Sequence, residues 1–147
     1  MKITDIRAYV VNPSLPLIGS ATANPEHREW TFVEINTDEG ISGWGECTNY
    51  PGGGSFLTAH AVLACKEALE GEDPADIERL WHKLYRRYSY LGARGLPTSA
   101  ISGIDIALWD IKGKALNRPV YDLLGGKFRE DVRLYANGWF ANCKTPQ

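Results

Sequence analysis

Cysteine is scarce in these 147 residues: only Cys47, Cys65 and Cys143 occur. The number is odd, no CxxC pair is present and no paired histidine spacing accompanies them, which argues against a disulfide framework or a zinc site. They read as reduced thiols, and a cytoplasmic location is expected. An excess of either charge is also missing. Sixteen Lys and Arg stand against 18 Asp and Glu, a net charge of −2, so there is no electrostatic footprint for nucleic acid or an anionic membrane. No apolar run approaches a membrane span, and the opening MKITDIRAYVV carries Asp5 and Arg7 within its apolar positions, which is not a signal-peptide core. Histidine is limited to His27, His60 and His82, with no Ser-His-Asp relation among them, and the carboxylates are scattered over capping and surface positions. No catalytic residue and no metal ligand is therefore assigned within the chain.

What is present suits a soluble globular domain. Hydrophobic residues make up 44% and charged residues 23%, and a chain of this length buries about two thirds of its unfolded surface. Ile6, Ala8 and Val10 alternate with Arg7, Tyr9 and Val11, the period of a strand, which Asn12-Pro13 ends. Residues 14–28 follow without periodicity, carrying Pro16, Pro25, Ser20, Thr22 and Asn24. A loop of that length is uncommon in a compact domain unless it is functional or disordered. Residues 30–37 are rich in aromatic and β-branched types, Asp38-Glu39-Gly40 is a turn, and residues 41–48 return, so the three strands read as an antiparallel meander. Gly43 and Gly45 flank Trp44 without a helix opening behind them, so they read as room for another backbone rather than a nucleotide loop, with Glu46 capping or pairing locally. Asn49-Tyr50-Pro51-Gly52-Gly53-Gly54-Ser55 is a second loop, either a connection that caps a helix or a set of backbone donors for an anion; no Gly-Lys-Ser/Thr follows, which excludes a P-loop.

Helical patterns fill the rest. One spans residues 55–69, with His60 as a packing residue. A second starts with Asp73 as cap and Pro74 at the first helical position, has the stripe Ile77, Leu80, Trp81, Leu84 and Tyr88, and leaves His82 off that stripe and exposed. Arg94, in the turn before the third, is a candidate anion contact. The third spans residues 99–116, with Ile101, Ile104, Leu108, Ile111 and Ala115 as its core face, Thr98 or Ser99 as cap, and Asn117 and Pro119 as its stop. Gly103 and Gly113 each cost about 1 kcal/mol relative to alanine inside a helix, so two of them imply close contact with neighbours. Asp110 and Lys114 form an i,i+4 pair of the favourable orientation. A short helix over residues 119–124 stops at Gly125-Gly126, and residues 132–136 alternate as a further strand ending in Asn137-Gly138-Trp139.

The run Ala100, Ser102, Gly103, Asp105, Ala107, Leu108, Asp110, Gly113, Lys114, Pro119, Val120, Leu123, Leu124, Gly125 resembles, position by position, the first signature of the mandelate racemase and muconate lactonizing enzyme family within the enolase superfamily. The resemblance implies an α+β fold: a three-stranded antiparallel meander and a helical bundle, the enolase-like N-terminal cap, over residues 1–126, then the first strand of a truncated (β/α) barrel over residues 127–147. It implies a carboxylate substrate on Mg²⁺ held by three acidic residues at the ends of middle barrel strands, with Lys or His bases abstracting the α-proton. Those strands would lie beyond Gln147, so the chain alone is expected to be inactive, and its uncovered apolar surface is expected to cause self-association. In the family two mobile loops of the cap close the barrel mouth and set specificity; here they match residues 15–28 and 49–56. Ser20, Thr22, Asn49 and Tyr50 are the implied substrate contacts, with Asn137 and Trp139 at the strand end. The wording Gly43-Trp44-Gly45-Glu46 and Ile104-Asp105-Ile106-Ala107-Leu108-Trp109-Asp110 is similar to branches that dehydrate aldonates or aldarates. The expected protein is a Mg²⁺-dependent sugar-acid dehydratase, a homo-oligomer in full-length form with a small-molecule carboxylate substrate and no nucleic-acid or membrane partner. A racemase, epimerase or lactone cycloisomerase of the same family, and a binding module without catalysis, are the alternatives.

Overall fold

The structure is a computed structural model and describes residues 1–12, 29–48, 53–92 and 94–135. Three strands, β1 (Ile3–Val11), β2 (Trp30–Thr37) and β3 (Ser42–Cys47), form an antiparallel sheet in the order β1-β2-β3, the expected meander. Gly40, with φ of 77°, makes the left-handed turn between β2 and β3, a conformation that carries no steric cost only without a Cβ. Along β2 the side chains of Thr31, Val33, Ile35 and Thr37 are buried and their neighbours half-buried, the alternation of a sheet packed on one face. On the other face Tyr9 stacks on Trp44 with ring centroids 5.5 Å apart, and the Tyr9 hydroxyl donates to Glu34 at 2.7 Å.

Helices α1 (Gly54–Leu63), α2 (Lys66–Leu69), α3 (Ile77–Arg87), α4 (Leu96–Leu116) and α5 (Val120–Leu123) follow. The core lies between the sheet, α1, α3 and α4, where Ile6, Val33, Ile35, Val62, Leu80, Leu84, Ile101, Ile104, Leu108 and Ile111 are all at most 1% exposed. Each such aliphatic side chain contributes about 1.5–3 kcal/mol over an exposed position. The glycines set how closely the layers approach. A Cβ on Gly45 would overlap the carbonyl oxygen of Gly103, one on Gly43 the carbonyl oxygen of Ala107, and one on Gly103 the Cys47 thiol. β3 therefore rests on the backbone of α4, as the paired glycines imply.

Several expectations need correction. The helix expected over residues 55–69 breaks at Ala64-Cys65, where the Cys65 N–H donates to Val62 O at 2.9 Å; the tightened turn points Cys65 and Leu69 both into the core at 0% exposure. Asp73-Pro74 does not start a helix. Asp73 Oδ1 accepts the Ala75 N–H at 2.9 Å in a side-chain turn, and α3 begins at Ile77. α4 starts at Leu96 behind Gly95, so Thr98 and Ser99 lie inside its first turn and do not cap it. Ala115 is exposed, because α4 has passed the edge of the sheet by that turn. Asn117 does end the helix in the left-handed conformation, with φ of 51°. Residues 131–135 form no strand, and Val132, Leu134 and Tyr135 are 73%, 88% and 84% exposed. An alternating segment becomes a strand only beside at least one ladder neighbour, and none lies beside them among the described residues. His60 is exposed, with Nδ1 2.8 Å from Phe56 O, rather than packed, while His82 is exposed as expected.

Candidate functional site

The register of the sheet gathers both loop candidates at one end. Val11 pairs with Trp30, so the stretch between β1 and β2 leaves and returns there. Cys47 pairs with Thr31, so the connection from β3 to α1 departs from the same end. α1 and α4 also begin at this end: the Ser55 hydroxyl, in the first turn of α1, reaches Glu29 O at 3.1 Å, and the Ser99 hydroxyl, in the first turn of α4, reaches Thr48 O at 3.4 Å. Neither helix start carries a side-chain cap hydrogen bond. The positive ends of the two helix dipoles therefore face the loop end, a setting compatible with an anionic substrate.

Ser20, Thr22, Asn49, Tyr50, Asn137 and Trp139, the substrate contacts expected from the sequence, all lie outside the described residues. What the structure adds is the framework from which four of them spring. Thr31 and Ser55 are 0% exposed and Ser99 4%; Thr31 Oγ1 donates to Ser55 O at 3.1 Å. Periodicity missed these three hydroxyls, because a serine or threonine among apolar neighbours looks the same whether it bonds locally or across the fold. Arg94 is exposed at the turn into α4.

The signature helix itself holds no reactive cluster. Asp110 Oδ2 accepts the Trp44 N–H at 2.8 Å and the Lys114 ammonium at 2.7 Å, and Lys114 also donates to Ser42 O at 2.7 Å. A hollow of about 340 Å³ at the C-terminal end of α4 is lined by Asp110, Lys114, Asn117, Arg118 and Val120 among others. Its cations are already paired, Lys114 with Asp110 and Arg118 with Asp122 at 3.1 Å, so it offers no free charge to a ligand. Asp105 is half-buried with its carboxyl pushed up by desolvation and by Glu78. Burial pushes the Cys47 thiol to about 12 and raises that of Cys65, leaving both unreactive at neutral pH. Among the described residues no group of three or more His, Cys, Asp or Glu could hold a metal ion. They do not fit a Mg²⁺ site.

The pattern described as "Mandelate racemase / muconate lactonizing enzyme, N-terminal domain" matches residues 3–125. The D-galactonate dehydratase of Variovorax paradoxus (strain S110) is 46% identical over 136 residues, covering 92% of this chain and 31% of that protein. The D-galactarolactone cycloisomerase of Agrobacterium fabrum (strain C58) is 43% identical over 141 residues, covering 95% of this chain and 36% of that protein. The crystal structure of the 3,6-anhydro-D-galactonate cycloisomerase from Zobellia galactanivorans superposes with a TM-score of 0.74 at 36% identity, over 86% of this chain and 32% of that one. The chain thus spans about a third of the length of the relatives it matches.

Proposed function

The chain belongs to the mandelate racemase / muconate lactonizing enzyme family, whose N-terminal domain its meander and helices form, and from that premise we propose that it is the capping part of a sugar-acid dehydratase. The observation that carries the proposal is its 46% identity to a D-galactonate dehydratase over 92% of the chain, both loop stretches included. The substrate class is an aldonate or aldarate, and the reaction removes the proton α to the carboxylate and then the β-hydroxyl as water. When bound, Mg²⁺ supplies stabilisation of the enediolate. Its ligands and the catalytic bases belong to barrel strands beyond Gln147, and residues 127–147 are the entry to that barrel. This chain's part is to bind and select: Ser20, Thr22, Asn49 and Tyr50 contact the substrate from the cap, and Asn137 and Trp139 from the first barrel strand. Their polar character suits a hydroxylated substrate.

A second reading has its own support. The 43% identity to a D-galactarolactone cycloisomerase fits a lactone substrate and the same proton abstraction with a different second step. The full-length protein should be offered D-galactonate, other aldonates, aldarates and sugar lactones, with and without Mg²⁺. Formation of a 2-keto acid from an aldonate or aldarate supports the dehydratase. Consumption of lactone without a 2-keto acid from any acid sugar favours the cycloisomerase, and turnover unaffected by metal removal counts against both.

A further inference from the structure

We propose that β1 is a docking edge for a second copy of this chain: two β1 strands pair antiparallel across a two-fold axis at Ala8 and join the two sheets into one. The register fixes which groups are available. Trp44 directs its N–H away from β2, to Asp110, so Glu34 opposite it faces β1 and exchanges main-chain bonds with Arg7. Arg7, Tyr9 and Val11 therefore bond β2, while Ile6, Ala8 and Val10 point their N–H and C=O groups outward. The two edges of the sheet differ in cover. On β3, Asp110 and Lys114 of α4 meet the Trp44 N–H and the Ser42 carbonyl. On β1, Gly71 and Glu72 hold Ile3 through bonds of 2.8 and 3.0 Å, and Asp5 Oδ1 accepts the Ile6 N–H at 2.9 Å. Among the described residues no partner meets the main-chain groups of Ala8 and Val10 or the Ile6 carbonyl.

This edge fits its own copy in length, register and depth. The uncovered stretch runs from Asp5 to Val11, and Ala8 is its midpoint. An axis there bonds Ala8 to Ala8 and brings each Val10 N–H to the Ile6 carbonyl of the second copy, and each strand ends at Val11 before it meets the turn over Ile3. Side chains agree with that register. Arg7, held by Asp5 at 2.8 Å, stands opposite Tyr9 of the second copy, a cation beside an aromatic ring. Slipping by two residues sets Arg7 against Arg7 in one direction, and in the other carries Ile6 past Val11, where β1 ends. The helix layer permits the approach. α1 rests on both β1 and β2, so it lies about midway between them. With strands about 4.8 Å apart the axis runs about 2.4 Å outside β1, which sets the two α1 helices about 10 Å apart, the spacing of packed helices. Phe56, His60 and Leu63, spaced by four and three, form an exposed stripe on α1, with Phe56 52% and Leu63 44% exposed, and supply apolar surface for that contact.

The test uses the full-length protein in sedimentation velocity, where a dimer or a multiple of it is expected. Leu63→Glu, which leaves the sheet untouched, and Ala8→Pro, which removes an outward N–H, are each expected to raise the dimer dissociation constant by about tenfold or more. By residue-resolved hydrogen exchange, the amides of Ala8 and Val10 are expected to exchange about tenfold faster in Leu63→Glu than in the wild type, while those of Val33 and Ile35, which bond β3, stay unchanged. Mild oxidation is expected to link Ala8→Cys into covalent dimers, since the paired Cα atoms lie about 5.5 Å apart in this register, whereas Val11→Cys, opposite Asp5, links no more than the wild type. Should Ala8→Pro fail to fold, Leu63→Glu and Ala8→Cys decide alone. A full-length monomer overturns the proposal, whether its Ala8 and Val10 amides are protected by a later strand of the same chain or open to solvent. An oligomer that Leu63→Glu leaves unchanged, or in which Ala8→Cys links no better than Val11→Cys, overturns it as well.

Discussion

The carboxylate of Asp110 accepts the main-chain N–H of Trp44 at 2.8 Å, across 66 residues of sequence. β3 is the outer strand of the sheet on that side, so this N–H and the carbonyl of Ser42, which Lys114 holds, belong to an edge that could otherwise pair with another strand. The i,i+4 pair on the signature helix is thus a cover for the sheet edge. Asp110→Ala should cost about 1–2 kcal/mol in urea unfolding and increase self-association by light scattering, while Asp110→Asn, which still accepts from Trp44, should do less of both. A double-mutant cycle with Lys114→Ala should be non-additive, since both act through one carboxylate.

Gly45 and Gly103 form the closest approach between sheet and helix, and backbone cannot yield as a side-chain tip can. Gly45→Ala is expected to destabilise by about 3 kcal/mol, beyond what an added methyl costs in an ordinary core. Soluble expression with an unchanged unfolding midpoint would show that α4 moves away without cost.

Glu72 gives a pH dependence of known sign. The Arg79 guanidinium first, and then the Lys83 ammonium, hold its carboxyl down to about 2 from an ordinary value near 4.5. A depressed carboxylate stabilises the fold above its unfolded value, and that contribution is lost as pH falls from about 4.5 towards 2. The site is open to solvent, which limits the size of the effect. The thermal midpoint should fall over this window less steeply in Glu72→Gln than in the wild type.

Cys47 and Cys65 are buried and shifted away from the thiolate. Alkylation of the native protein at pH 7.5, read by peptide mass spectrometry, should leave both unmodified until denaturant is added. Rapid native labelling of Cys47 would mean that the β3–α4 contact opens readily.

The meander was legible because strand alternation and the Asp38-Glu39-Gly40 turn are local signals. So were the left-handed stop at Asn117 and the close approach implied by Gly43, Gly45, Gly103 and Gly113. Asp73-Pro74 misled, because a side-chain turn and a helix cap use the same two residue types, and only packing decides between them. Residues 131–135 misled for a related reason: a strand pattern becomes a strand only beside a partner. Of the candidate site, the stretches marked by length and glycines lie outside the described residues, apart from residues 53–56, where α1 already begins at Gly54. The sequence could not reveal that Thr31, Ser55 and Ser99 bind the loop ends, since those bonds join residues 24 to 51 positions apart.

The most direct test of the proposed dehydratase is proton NMR of the full-length protein with aldonates and aldarates in D₂O containing Mg²⁺. Expected is loss of the C2 proton of one acid sugar and appearance of its 2-keto-3-deoxy product with one deuterium at C3, suppressed when the metal is chelated. Exchange or inversion at C2 with no loss of water, or no reaction of any acid sugar, would contradict it.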